Sequence, residues 1–206
     1  MPNFSYETRF GRDDGKVICG ADEVGRGPLA GPVVAAAVIL PLDFPIDIRD
    51  KIKDSKKMSA TAREELFEPL TQNCHYAIAE ASVAEIDTLN ILWASMLAMQ
   101  RAIGFLKPPI DMALIDGNRV PQLDCAAVSI VKGDDASFSI AAASIIAKVH
   151  RDRLMCQLAE TFPMYGWDHN AGYGTAEHLN ALSTHGATPW HRTSFAPVRS
   201  LIPRAV

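Results

Sequence analysis

This chain is poor in the features that give many proteins away at once. Basic charge is not in excess: 20 Lys and Arg stand against 24 Asp and Glu, for a formal net charge of −4. A nonspecific nucleic-acid binder is usually basic, so binding by electrostatics alone is disfavoured. Cysteine is scarce. Cys19, Cys74, Cys125 and Cys156 lie far apart with no CxxC spacing, three of them in apolar runs. They read as reduced core thiols in a reducing compartment. Long hydrophobic runs are missing, and the longest, Val33–Leu40 and Ile140–Ala147, are too short to span a bilayer. The start, Met1 to Glu7, has no basic region followed by an apolar stretch. A soluble cytoplasmic protein with no membrane partner is expected. The six histidines show no metal-ligand spacing. No serine or cysteine has a base beside it in a motif, so a covalent hydrolase mechanism has no support.

What is present fits one α/β domain. The chain has 206 residues, 48% hydrophobic and 21% charged, and can bury a core without staples. Val17–Val24 and Val33–Leu40 read as strands joined by the Gly/Pro-rich loop from Gly25 to Pro32. Pro41–Lys57 is polar and irregular. Ser59 caps a predicted helix through Leu70, and His75–Val83 reads as a third strand. Ile86–Phe105 has a helical period, and Met112–Ile115 and Ala126–Val131 complete five strands. Ser137 caps a long helix to about Thr161, and another helix lies near Thr175–Thr184. This order predicts a mixed five-stranded sheet flanked by helices, antiparallel among its first three strands and parallel later. A core over about 16–163 would carry a helical C-terminal extension over about 164–206.

Three of these strands carry an acid at or near the C-terminal end: Asp22-Glu23, Asp116 and Asp134. Ligands of open α/β sheets gather at such ends. Converging carboxylates repel one another unless protons or cations neutralise them. Oxygen donors without His or Cys favour Mg²⁺ or Mn²⁺, and two such ions form a clamp for phosphodiester hydrolysis. Asp-Gly-Asn and Gly-Asp-Asp are also ordinary turn sequences, so spacing alone does not decide between the two readings. Asp22 and Glu23, as neighbours on a strand, point to opposite faces. Either the strand bends at Gly25 or Glu23 also uses its main-chain carbonyl.

The run Gly20-Ala-Asp-Glu-Val-Gly-Arg-Gly-Pro-Leu-Ala-Gly-Pro-Val-Val resembles the signature of ribonuclease HII. The resemblance continues in order through Asp54-Ser-Lys-Lys-Met-Ser, Leu89-Asn-Ile-Leu, Leu114-Ile-Asp-Gly-Asn and Val131-Lys-Gly-Asp. It extends through Ala141-Ala-Ala-Ser-Ile-Ile-Ala-Lys-Val, Arg151-Asp-Arg, Gly172-Tyr-Gly-Thr and His185-Gly-Ala-Thr. It implies a ribonuclease H-like fold. The implied activity is metal-dependent cleavage of RNA in RNA–DNA hybrids and 5′ of single ribonucleotides embedded in duplex DNA, leaving 3′-hydroxyl and 5′-phosphate ends. The implied metal ligands are Asp22, Glu23, Asp116 and Asp134, holding two Mn²⁺ or Mg²⁺ ions. Gly25-Arg26-Gly27 would read the ribose 2′-hydroxyl, which is what separates RNA from DNA. Tyr173 would stack on the following deoxyribose. Ser144, Lys148 and, more weakly, Lys56 and Lys57 would meet phosphates. The residue before Gly172 is Ala171 where some relatives carry Lys, so a phosphate contact from that position is not expected. A monomer without an organic cofactor is expected.

Plainer readings stand beside these. Lys148 could simply pair with Asp152 on a solvated helix face that also carries Ser144 and Arg151. Asp135 reads as a helix-start acid. Trp93 is expected in the core, and His185 and His191 on the surface. A nuclease of the same architecture with another substrate is opposed by the Gly-Arg-Gly loop. A non-catalytic hybrid-binding module is opposed by the presence of all four acids.

Overall fold

The computed structural model describes residues 1–201; the end of the expected C-terminal extension lies outside them. Its sheet comprises β1 (Ile18–Val24), β2 (Val33–Ile39), β3 (His75–Ala81), β4 (Met112–Asp116) and β5 (Ala126–Ile130). The spatial order is β3-β2-β1-β4-β5. β1 pairs antiparallel with β2 and β2 with β3, while β1–β4 and β4–β5 are parallel. This is the mixed sheet that the element order predicts. The helices are α1 (Ser5–Arg9), α2 (Ile46–Arg49), α3 (Ala60–Asn73), α4 (Val83–Leu89), α5 (Ile91–Phe105), α6 (Phe138–Thr161), α7 (Trp167–Asn170), α8 (Ala176–His185) and α9 (Ala196–Arg199).

Strand alternation sorts the core into two layers. Cys19, Ala21, Ala35, Ala37, Ala113 and Ile115 face α5, with Met99, Ala102 and Ile103 packed on them. Val34, Ala36 and Val38 face α6 and meet Ile145, Ile146 and Val149. Leu114 and Ile140 lie on the same side. α6 runs directly over β1 because position 20 has no side chain. A Cβ on Gly20 would stand 2.3 Å from the backbone of Ser139 and Ile140. Serines start the long helices: Ser137 accepts from Ile140 N–H at 3.2 Å and Ser59 from Ala62 N–H at 3.1 Å.

The chain ahead of β1 is stitched to the start of α6. The buried Glu7 carboxylate accepts from Ser137 Oγ at 2.7 Å and Ser139 N–H at 3.0 Å, a favourable place for negative charge at a helix N-terminus. Asn3 bonds to Ala136 and Phe138 through its own backbone, 3.2 Å each.

Several expectations need correction. The single helix over Ile86–Phe105 is two, starting earlier and broken at Asn90. There φ is 70° and the Asn90 carboxamide caps α5 through Leu92 and Trp93 N–H. Trp93 is 53% exposed; the stripe that α5 buries runs through Ala94, Met96, Ala98, Met99 and Ala102. The polar stretch to Lys57 holds α2 and a 3-10 turn over Ser55–Lys57. His191 is buried rather than on the surface. The four cysteines are free, but only Cys19 is fully buried and Cys156 is exposed. No helix among the described residues is long and apolar enough to cross a membrane.

Candidate active site

The parallel register pairs Gly20 with Leu114 and Ala21 with Ile115. One step further it sets Asp22 beside Asp116, on the face covered by α6. Beyond β5 the chain turns through a 3-10 segment, Gly133–Asp135, entered by Lys132 at φ 56°. That turn is tied to the acids, since Gly133 N–H donates to Asp116 Oδ1 at 2.7 Å. It carries the buried Asp134 to the same pole of the sheet. Three distant segments thus deliver acids to one place through strand register and one backbone hydrogen bond.

The electrostatics are those of carboxylates crowded at low solvation. Asp22 is pushed well up by burial and by the charges of Glu23 and Asp116, against the Ser144 hydroxyl. Burial also raises Glu23, with Arg26 opposing and Asp116 adding. Asp134 is raised by burial, then by Asp116 and Asp54, with Lys56 opposing. Burial works against the charge of Lys56. The negative field of Asp22, Asp134, Asp54 and Asp116 outweighs it and raises this lysine. Its Nζ lies 3.7 Å from Asp134 Oδ2.

Glu23 answers the question of opposite faces only in part. Its side chain turns toward the loop beyond β1, where Arg26 Nη1 donates to Oε1 at 3.2 Å. Gly25, at φ 93°, bends the chain there. Oε2 of Glu23 is buried with no hydrogen-bond partner among the described residues, a costly condition for a carboxylate oxygen. Asp22 Oδ1 is taken by Glu23 N–H at 2.7 Å. With these oxygens turned to protein donors, no three His, Cys, Asp or Glu side chains among the described residues are gathered closely enough to grip one ion as they stand. The donor chemistry nevertheless fits a hard divalent cation. The donors are all oxygen, the carboxyls repel one another, and one buried oxygen lacks any partner.

The loop after β1 forms the second half of the site. A Cβ on Gly27 would lie 3.1 Å from Tyr173 Cε1, so the half-exposed Tyr173 ring borders the Gly25-Arg26-Gly27 turn. Leu29 N–H donates to Gly172 O at 2.8 Å and fixes that neighbourhood. His178 Nδ1 lies 2.9 Å from Tyr173 O and must donate to it. His178 Nε2 is then the acceptor for Trp167 Nε1–H at 3.1 Å and His191 Nε2–H at 3.0 Å. Burial lowers His178, and burial together with His178 lowers His191 to about 4.

The remaining expected residues divide. Ser144 is buried and its hydroxyl lies 2.8 Å from that of Ser55, so it sits beneath the acids rather than on an outer surface. Lys148 donates to Asp152 Oδ1 at 2.6 Å, and Lys57 to Asp135 Oδ1 at 2.6 Å. Arg151 is not on the solvated face. Sequence reasoning passed over three contributors. Asp54 is buried and caps the 3-10 turn bearing Lys56 by accepting from its N–H at 2.9 Å. The other two are Arg151 and Arg192, both buried behind the loop. Burial lowers Arg151 to about 10 and Arg192 to about 9, so both stay charged near neutral pH. Asp-Ser-Lys-Lys was a visible signal for Asp54 and Arg151-Asp-Arg for Arg151; nothing local marked Arg192.

Comparison with known proteins gives one consistent picture. The family model described as Ribonuclease HII matches residues 19–198. The chain is similar to a ribonuclease HII of Rhodospirillum rubrum, at 54% identity over 100% of this chain and 94% of that one. The ribonuclease H2 of Pyrococcus horikoshii OT3 shares its fold at TM-score 0.75 and 25% identity, over 89% of this chain and 96% of that one. The Archaeoglobus fulgidus RNase HII, solved as a complex with PCNA, does so at TM-score 0.73 and 27% identity, over 87% and 95%.

Proposed function

From the premise that this chain belongs to the ribonuclease HII family, and is thereby a divalent-metal-dependent endonuclease of RNA–DNA hybrids, we propose a finer activity. It also cuts duplex DNA on the 5′ side of a single embedded ribonucleotide, leaving 3′-hydroxyl and 5′-phosphate ends. It acts as one domain and as a monomer, in the cytoplasm, without an organic cofactor. The observation that carries this reading is the adjacency of two things. Asp22, Glu23, Asp116 and Asp134 share one end of the sheet, and the Gly25-Arg26-Gly27 turn with Tyr173 against it begins two residues beyond Glu23.

Asp22, Glu23, Asp116 and Asp134 would hold two Mn²⁺ or Mg²⁺ ions. Such ions, when bound, supply an activated water and stabilise the leaving oxygen. The protein's own part is positioning. The amides at Arg26 and Gly27 approach the sugar edge because no side chain stands at Gly25 or Gly27. A hydrogen bond to the 2′-hydroxyl there separates ribose from deoxyribose. Arg26 binds the neighbouring phosphate, for which its guanidinium must leave Glu23. The open face of Tyr173 takes the following sugar, where the missing 2′-hydroxyl leaves room. Lys56 and Lys148 contribute to phosphate neutralisation by exchanging Asp134 and Asp152 for the substrate. Ser144 acts from below, through Asp22 and Ser55.

The test is a cleavage assay on a DNA duplex carrying one ribonucleotide, with and without divalent ion, mapping the cut at nucleotide resolution. Metal-dependent scission immediately 5′ of the ribonucleotide is expected. Cutting only within continuous hybrids, or at another phosphodiester, would refute the finer activity.

A further inference from the structure

Two buried arginines converge on the main chain of the loop that borders the acids. Arg192 donates through Nη2 to Gly25 O at 2.6 Å and through Nη1 to Arg26 O at 3.1 Å. It reaches Gly31 O at 2.9 Å through Nε and Pro32 O at 3.2 Å through Nη2. Arg151 donates to Pro32 O through Nε at 3.1 Å, to Ala30 O at 3.1 Å and to Ala171 O at 3.0 Å. Among the described residues neither guanidinium forms a salt bridge with a carboxylate. Their hydrogen bonds go to carbonyl oxygens instead.

The direction of these carbonyls has a consequence. In a planar trans peptide the C=O and the next N–H point to opposite sides. With the carbonyls of Gly25 and Arg26 turned inward to Arg192, the N–H groups of Arg26 and Gly27 are turned outward. Among the described residues neither amide has a protein acceptor. A short Gly-rich turn left to itself would sample many peptide orientations. Here a forked cation holds two successive planes in one.

Building on the ribose-reading function above, we propose that Arg192, backed by Arg151, is a positioning residue for specificity. It presents the Arg26 and Gly27 amides as a preset pair of donors to a substrate 2′-hydroxyl. Lysine cannot replace it, because a single ammonium lacks the planar fork that reaches two adjacent carbonyls.

The test measures affinity in an Asp134→Asn background, so that substrate is not consumed, for two duplexes differing only in one 2′-hydroxyl. The parent should prefer the ribonucleotide duplex. Adding Arg192→Lys should reduce that preference about tenfold, the worth of roughly one well-made hydrogen bond. Affinity for the all-DNA duplex should change less than the preference does. Equal weakening toward both duplexes, or an unaltered preference, would overturn the proposal. A parent that binds both duplexes alike would instead refute ribose reading by the loop. A second measurement needs no Arg192 variant. In the parent, the Arg26 and Gly27 amides should exchange hydrogen rapidly when free and slow on adding the ribonucleotide duplex, but not the all-DNA duplex. Protection of either amide in the free protein would also sink the idea.

Discussion

Gly20→Ala isolates how closely α6 must lie on β1 for the acids to meet. Residue 20 is an ordinary strand position without left-handed φ. Alanine carries no conformational penalty there; removing a strand glycine should by itself stabilise by about 0.5–1 kcal/mol. Sterics act the other way. The added Cβ would stand 2.3 Å from Ile140 N and from Ser139 C, and 2.7 Å from Ser139 Cβ. Ordinary contact is roughly 3.5–4.0 Å, so strand and helix must part by about 1 Å. The opposing atoms are mostly backbone, which no rotamer change relieves. Overpacking of this kind costs about 1–3 kcal/mol, and the upper part of that range applies. For a chain of this size the melting temperature should fall by about 4–10 °C. Asp22 lies two residues on, and Gly133 and Asp134 come just before α6, so the same displacement separates the carboxylates. A shift of that size can lower turnover about a hundredfold. Urea denaturation and hybrid-cleavage kinetics would be run beside Gly104→Ala. That control position has open space around it, and should be neutral or slightly stabilised. A Gly20→Ala protein with the wild-type denaturation midpoint and full activity would refute the reasoning.

Asp134→Asn keeps shape but removes a charge, so cleavage should fall by at least about a hundredfold while hybrid binding measured by anisotropy stays within a few fold; comparable loss of both would argue against a metal role. The buried His178–His191 pair makes stability depend on acid. Because His191 is lowered to about 4 from an ordinary value near 6.5, the folded state binds fewer protons than the unfolded chain. Its contribution is full above about pH 6.5 and is lost as pH falls toward 4, up to about 3 kcal/mol; melts from pH 8 to 4.5 should show His191→Asn with a flatter acid limb, and an identical slope would reject the assignment. Trp93→Ser, on the exposed side of α5, should leave the melting temperature within about 2 °C, against the large loss that a core tryptophan would bring.

The sheet was legible because its strands are short β-branched and alanine runs bounded by glycine and proline, and the carboxylates because acids at strand ends are uncommon company for such runs. Less could be read where partners are main-chain atoms. Arg151 and Arg192 bind carbonyls, which have no identity in a sequence, so a fully engaged arginine looks like a solvated one. The break at Asn90 hides for another reason: the apolar period continues through α4 and α5, and only a left-handed φ at one asparagine separates them. Trp93 misleads because aromatic residues on helices usually pack inward, while the stripe that α5 buries is mostly alanine and methionine.

Glu7 and Asn3 precede every strand, yet they fasten the turn that supplies Asp134. Shortening the protein to residues 19–198, the span that the family model matches, would therefore loosen one jaw of the reaction centre without deleting any of its four acids. A bulky fusion joined directly at the amino end would press on the same hinge. Such a preparation could fold and bind substrate yet turn over slowly, and a well-spaced linker should restore its speed.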